Sequence, residues 1–101
     1  MATITDHENL VNGQLKFSKE YFTPQSLAEL AAELKEEAGG KVKFLAVRSC
    51  SKNDLAIVFA YQMDEGETLQ KFVYKVTDKL KRRFGNALTG WDISDRCLTI
   101  N

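Results

Sequence analysis

Hydrophobic residues follow two spacings along the chain, and segment 54–63 (DLAIVFAYQM) shows the strand spacing on both of its faces. Its odd positions are apolar from Leu55 to Met63, and most of its even positions are small or branched apolar residues. A strand that packs against helices on one side usually presents polar residues on the other. The segment is therefore predicted to be a strand whose second face needs cover.

Three further segments have strand-like patterns. Residues 15–22 (LKFSKEYF) alternate in polarity with a break near their end, residues 41–50 (KVKFLAVRSC) are rich in β-formers, and residues 91–100 close the chain. The short polar connection 51–53 (SKN) joins segment 41–50 to segment 54–63. These two segments are predicted to form a hairpin.

Two other segments repeat apolar residues at helical spacing. The first begins at Thr23-Pro24, a capping residue followed by a residue suited to the first helical position, and ends at Gly39-Gly40. The second follows the acidic segment 64–67 (DEGE), where the helix dipole favours negative charge, and ends in a basic cluster. The apolar stripes are Leu27, Leu30, Ala31, Leu34 and Ala38 in the first helix, and Leu69, Phe72, Val73, Val76 and Leu80 in the second.

The resulting order, β-α-β-β-α-β, predicts an α+β fold of the ferredoxin-like kind, a two-layer sandwich with two helices on one face of a four-stranded antiparallel sheet of order 4-1-3-2. A length of 101 residues fits one domain. We expect residues 1–13 to form a loose N-terminal arm or a short strand that ends in an Asn12-Gly13 turn, and residues 14–101 to form the domain.

Two hairpin registers, which differ by one residue, fit the sequence. One places Leu45 and Val47 in the core and leaves Phe44 and Ala46 outside, whereas the other reverses these positions. Both registers leave an apolar patch on the face opposite the helices, and such patches mark interaction sites.

The small residues of this face suit the close approach of a second sheet, at about 10 Å. We predict a homodimer that pairs through the sheet face. The alternatives are cover by the N-terminal arm, through Ile4, Leu10 and Val11, or by a different protein. The predicted interface residues are Phe44, Ala46, Arg48, Ala56, Val58 and Ala60.

The composition limits the partners and the compartment. Fourteen basic residues balance fourteen acidic ones, so no overall field attracts nucleic acid or an anionic membrane. No segment resembles a membrane span or a secretory signal, and two cysteines are too few for a disulfide scaffold. We expect a cytoplasmic protein with free, structural thiols at Cys50 and Cys97 and without a membrane partner.

Candidate catalytic groups are sparse. His7 is the single histidine and lies in the predicted arm, which excludes a multi-histidine metal site within one chain. Asp92 and Asp95, near Arg96, suggest paired carboxylates, but residues three apart in a strand point to opposite faces. The sequence therefore predicts no catalytic residue, no cofactor and no metal.

The basic cluster at the end of the second helix contains Lys79, Lys81, Arg82 and Arg83. These residues complement the helix dipole, and Lys79, Arg82 and Arg83 are also candidates for anion binding. Phe59 and Tyr61 alternate as base-stacking aromatics do in RNA-recognition domains, but the accompanying glycine and basic residue are absent. We do not expect nucleic acid as a partner.

These observations favour a small non-enzymatic binding or regulatory module that self-associates through the sheet face. The first alternative is a dimeric α/β-barrel enzyme or ligand-binding protein, in which Arg48, Tyr61 or Trp91 orients a small molecule in a pocket between two sheets. The second alternative is a weak nucleic-acid or anion binder that uses the basic cluster at 79–83.

Overall fold

The helices and strands follow the predicted order. The computed structural model describes residues 10–94 and contains the elements β1 (Leu10–Ser18), α1 (Pro24–Ala38), β2 (Val42–Ser49), β3 (Asp54–Gln62), α2 (Leu69–Phe84) and β4 (Leu88–Ser94). A single 3₁₀ turn follows each α-helix, at Gly39–Lys41 and at Gly85–Ala87.

The four strands form one antiparallel sheet of order β2-β3-β1-β4, with β2 and β4 at its edges. This confirms the predicted order 4-1-3-2 and the two-layer α+β architecture. Both helices supply residues to one hydrophobic core on a single face of the sheet. The buried side chains include Val11, Leu15, Phe17, Leu55, Ile57 and Phe59 from the sheet, and Leu27, Leu30, Ala31, Phe72 and Leu80 from the helices.

The first helix begins as its sequence predicts. The backbone N–H of Ser26 donates to Oγ1 of Thr23 at 3.0 Å, and the backbone N–H of Thr23 donates to Oγ of Ser26 at 2.9 Å. This capping box satisfies two amides at the helix start, and Pro24 occupies the first helical position.

The start of α2 differs from the prediction in one respect. Thr68 caps the helix by accepting from the backbone N–H of Lys71 at 3.2 Å, and the first turn holds no acidic residue. The acidic segment therefore precedes the cap instead of opening the helix. Glu67 instead accepts from the backbone N–H of Asp64 at 3.2 Å and pairs with Lys75 at 3.0 Å.

The first strand begins earlier than predicted and ends at Ser18, so of the segment predicted as strand at 19–22, residues 19–21 form a turn and residue 22 lies outside the strand. Gly13 lies inside β1 and does not form a turn with Asn12. A Cβ atom at Gly13 would overlap the carbonyl oxygen of Asp92 and lie 2.7 Å from Cα of Ile93. The glycine is needed because the backbone of β4 passes so close to β1. Residues 1–9 of the predicted arm lie outside the described residues.

The last strand also begins earlier than predicted, at Leu88 instead of residue 91. Leu88 pairs with Phe17 and is buried, and an irregularity between Lys16 and Phe17 then shifts the register. The predicted continuation of the strand to residue 100 lies outside the described residues.

The hairpin adopts the first of the two registers. Leu45 pairs with Phe59 on the helix side of the sheet, and Phe44 pairs with Ala60 on the other side. A register shift between Val42 and Phe44 also places Val42 opposite Tyr61, on the helix side. A local irregularity therefore allows both an even-numbered residue, Val42, and an odd-numbered residue, Leu45, of β2 to face the core.

Candidate interaction surface

The face of the sheet opposite the helices, called the open face below, contains all six residues predicted as an interface. The strand pairings align Arg48 with Ala56, Ala46 with Val58, and Phe44 with Ala60, in three successive rows across β2 and β3. The rows continue across β1 and β4 with Lys16 and Gly90, Gln14 and Asp92, and Asn12 and Ser94.

Two adjacent rows in the β2–β3 half of the open face are apolar. Phe44 is 54% exposed, Ala46 is exposed, and their partners Val58 and Ala60 are partly exposed. These four residues are called the apolar strip below. Ala56 lies between Arg48 and Lys16 in the next row and is fully buried. The strip is flat apart from the phenylalanine ring, because three of its four side chains are small or branched.

The β1–β4 half of the open face is polar, which the sequence prediction missed because it began the first strand at residue 15. Gln14 lies between Val58 and Asp92, and its side-chain Oε1 is enclosed without a hydrogen-bond donor. An unpaired buried carbonyl costs about 1–3 kcal/mol. The alternation of Val11, Leu15 and Phe17 with Gln14 and Lys16 is the sequence signal that places these polar residues on the open face.

Opposite charges lie at the two edges of the open face. Arg48 is exposed on the edge strand β2, and Asp92 is exposed on the edge strand β4, one row away from it. Within residues 10–94, neither side chain has an ion-pair partner. The open face therefore has a free cation at one edge and a free anion at the other.

The basic end of α2 is matched by carboxylates. Lys79 pairs with Glu37 at 3.1 Å and Arg83 pairs with Glu33 at 3.1 Å, so both pairs connect α2 to α1. Arg82 pairs with Asp78 at 3.0 Å within α2. A free anion would have to displace these carboxylates from the three residues predicted to bind it.

The aromatic residues considered for ligand or RNA contacts do not share the open face with Arg48. Phe59 is buried in the core, and the ring of Tyr61 packs on Phe72 of α2 with centroids 4.6 Å apart. Trp91 pairs with Leu15, and Nζ of Lys81 lies 5.6 Å from the centre of its ring. These aromatic side chains face the helices, so they cannot stack bases on the open face or line a pocket between two sheets together with Arg48.

The other residues considered for chemistry are described only in part. His7, Asp95, Arg96 and Cys97 lie outside the described residues. Cys50 is a half-buried free thiol in the connection between β2 and β3. Between residues 10 and 94, no group of three or more His, Cys, Asp and Glu side chains is placed to hold a metal ion.

A surface ion pair links the two connections that lead into β2 and out of β3. Nζ of Lys41 lies 2.7 and 2.9 Å from the two carboxylate oxygens of Asp64. The hydrogen bond from Lys41 lowers the pKa of Asp64, and the same bond raises the pKa of Lys41. Both shifts follow from direct pairing of opposite charges.

The chain was compared with family models, curated proteins and solved structures, and none of them matches it. None of the helices within residues 10–94 is both long enough and apolar enough to cross a membrane. The geometry of the open face is therefore the basis for a functional proposal.

Proposed function

We propose that the protein is a small non-enzymatic binding module that pairs with a second copy of itself through the open face. The observation that carries this proposal is the apolar strip formed by Phe44, Ala46, Val58 and Ala60. Its role is then regulatory or structural, because what the described residues contribute is a surface for assembly.

The shape of the strip supports the packing of two sheets. Small side chains allow a facing sheet to approach to about 10 Å, and Phe44 provides one larger side chain that can insert into the facing layer. Four strands at ~4.8 Å and seven to nine residues at ~3.4 Å give the face a flat area of roughly 500 Å². Two copies would bury on the order of 1,000 Å², at the low end of specific interfaces, so the dimer is expected to dissociate on dilution.

The charges at the edges support a second copy over a different partner. In a two-fold dimer with its axis along the strands, the β2 edge of one copy lies over the β4 edge of the other. Arg48 of each copy then lies within one row of Asp92 of the other, and the contact occurs twice. In this arrangement the edge charges of the two copies, Arg48 and Asp92, are complementary.

The first test is to measure the mass in solution by light scattering at several concentrations. The measurement compares the wild type with two variants in which an alanine is replaced by glutamate. Ala46→Glu places a charge on the apolar strip at an exposed position, and Ala32→Glu makes the same change at an exposed position of α1. We expect a concentration-dependent dimer that Ala46→Glu abolishes and Ala32→Glu leaves intact. A monomer at all concentrations, or a dimer unaffected by Ala46→Glu, would contradict the proposal.

A charge exchange tests the orientation and the identity of the partner. Arg48→Asp and Asp92→Arg should each weaken the dimer, because each places like charges together twice. The double variant restores opposite charges across the interface and should recover much of the lost affinity. Additive weakening in the double variant would contradict the two-fold arrangement.

A further inference from the structure

The helix layer contains a cavity of about 260 Å³, which lies between α1 and α2 above β2 and β3. Its walls are apolar and include Leu34 and Ala38 of α1, Val76 of α2, Leu45 of β2 and the rings of Phe59 and Tyr61 from β3. Several of these side chains face the core but remain partly exposed, among them Leu34, Leu45 and Val76. The interior is therefore not sealed between the two helices.

One of the two ion pairs between the helices lies at the surface of this cavity. Glu37 and Lys79, which pair at 3.1 Å, both line it, and the pair between Glu33 and Arg83 lies one helical turn away on each helix. The two helices are thus connected by charges at the surface while an apolar space remains below. A water molecule in such a space needs two to four polar partners, which the apolar walls do not provide.

The charge at the mouth is positive. Lys35, Lys75 and Lys79 line the cavity together with the single carboxylate of Glu37. Lys79 is paired with Glu37 and Lys75 with Glu67, whereas Lys35 is exposed and has no carboxylate partner among residues 10–94. An occupant with an apolar body and one negative charge would fit both the walls and this free cation.

We propose that the cavity binds a small organic carboxylate with an aromatic body of about two rings. An apolar cavity of about 150 Å³ accepts benzene, so the larger space between the helices has room for a second ring. The aromatic walls formed by Phe59, Tyr61 and Phe72 suit a flat ligand, because aromatic rings pack favourably in offset or tilted arrangements. The carboxylate then lies at the mouth, next to Lys35.

The probe for this proposal is naphthalene-2-carboxylate, with the neutral naphthalene-2-carboxamide as its matched control. Ligand-observed NMR or calorimetry should show saturable binding of one carboxylate per chain, with a dissociation constant of about 1 mM or lower. The amide should bind about three- to tenfold more weakly, because it lacks the charge that faces Lys35. Equal binding of the two probes, or no saturable binding of the carboxylate, overturns the proposal.

Two pairs of variants locate the binding site. Val76→Phe fills the cavity and should abolish binding, whereas Val58→Phe makes the same change on the open face and should leave it unchanged. Lys35→Gln should weaken binding of the carboxylate about three- to tenfold without affecting the amide. Lys71→Gln, an exposed position on α2 outside the cavity, should have no effect.

The filled variant must be shown to be folded, because an unfolded variant would also fail to bind. Thermal unfolding should show that Val76→Phe is folded, and if it is not, Ala38→Leu fills the same cavity from α1. Binding that persists in a folded, filled variant overturns the assignment to this cavity. Loss of binding in Val58→Phe would instead place the probe on the open face and would also overturn it. The outcome is independent of dimerisation, which is measured separately by mass.

Discussion

Truncation of Phe44 should weaken the proposed dimer without unfolding the chain. Phe44 is 54% exposed in the single copy. An aromatic residue presents ~200 Å², so roughly 100 Å² remains to be buried on association, which corresponds to about 2.5 kcal/mol at ~25 cal/mol per Å². Alanine retains a small part of this area, so we expect a loss of about 2 kcal/mol per copy.

A two-fold dimer contains the substitution twice, which doubles the effect. The total of about 4 kcal/mol corresponds to a rise of roughly 1,000-fold in the dissociation constant of the dimer. Sedimentation equilibrium or light scattering over a wide concentration range measures this change directly. Thermal unfolding of the dilute protein should change little, because Phe44 makes few contacts with the core of its own copy.

The matched control is Tyr74→Ala. Tyr74 is also a large exposed aromatic residue, at 69%, but it lies on α2 and not on the sheet. Its truncation removes a similar exposed area and should leave the dimer intact. If Phe44→Ala and Tyr74→Ala shift the dissociation constant equally, the open face is not the contact between copies.

Three further predictions concern the single copy. Gly13→Ala should lower the free energy of unfolding by about 1–3 kcal/mol or more, because the added Cβ meets the backbone of β4. The control Gly40→Ala should not lower it, because no atom lies within 4 Å of the added Cβ. Equal denaturant midpoints for the two variants would contradict this prediction. Gln14→Leu should be neutral or stabilising by about 1 kcal/mol, because it removes an unpaired buried carbonyl, and a clear loss in the same assay would show that the amide is satisfied. Lys41→Met should destabilise at neutral pH. The lowered pKa of Asp64 stabilises the fold at pH values above 3.8, the ordinary pKa of this carboxyl group, and the stabilisation is lost as the pH falls through the folded pKa. The melting temperatures of the variant and the wild type should therefore converge in acid. The raised pKa of Lys41 stabilises the fold at pH values below 10.5, the ordinary pKa of a lysine, and the stabilisation is lost as the pH rises through the folded pKa. The two melting temperatures should therefore converge again in strong alkali.

Local signals determined much of the fold. The Thr23 cap, the proline beside it and the two apolar stripes act within a few residues of each other, so the sequence shows them directly. The order of the elements then leaves few ways to connect them, and the predicted sheet order is the observed one. The fold of such a sequence can be predicted because the local preferences of its segments agree with the overall topology.

Residues whose role depends on distant backbone give misleading local signals. Asn12 and Gly13 look like a turn because both residues favour turns, but Gly13 is required by the approach of β4, which is about eighty residues away in the chain. The hairpin register was ambiguous for a related reason. The irregularity near Val42 lets both even- and odd-numbered residues of β2 face the core. A prediction that assigns every second residue to the same face cannot include such an irregularity.

The basic end of α2 carries a pairwise signal that becomes visible only when both helices are considered together. Lys79 and Arg83 are four residues apart, and so are their partners Glu33 and Glu37, which pair in reverse order. This matched spacing is expected of two antiparallel helices whose facing surfaces carry opposite charges. The cavity below these pairs had no equivalent signal, because its volume depends on how far apart the helices lie, and the apolar stripes would have been the same had the helices closed on each other.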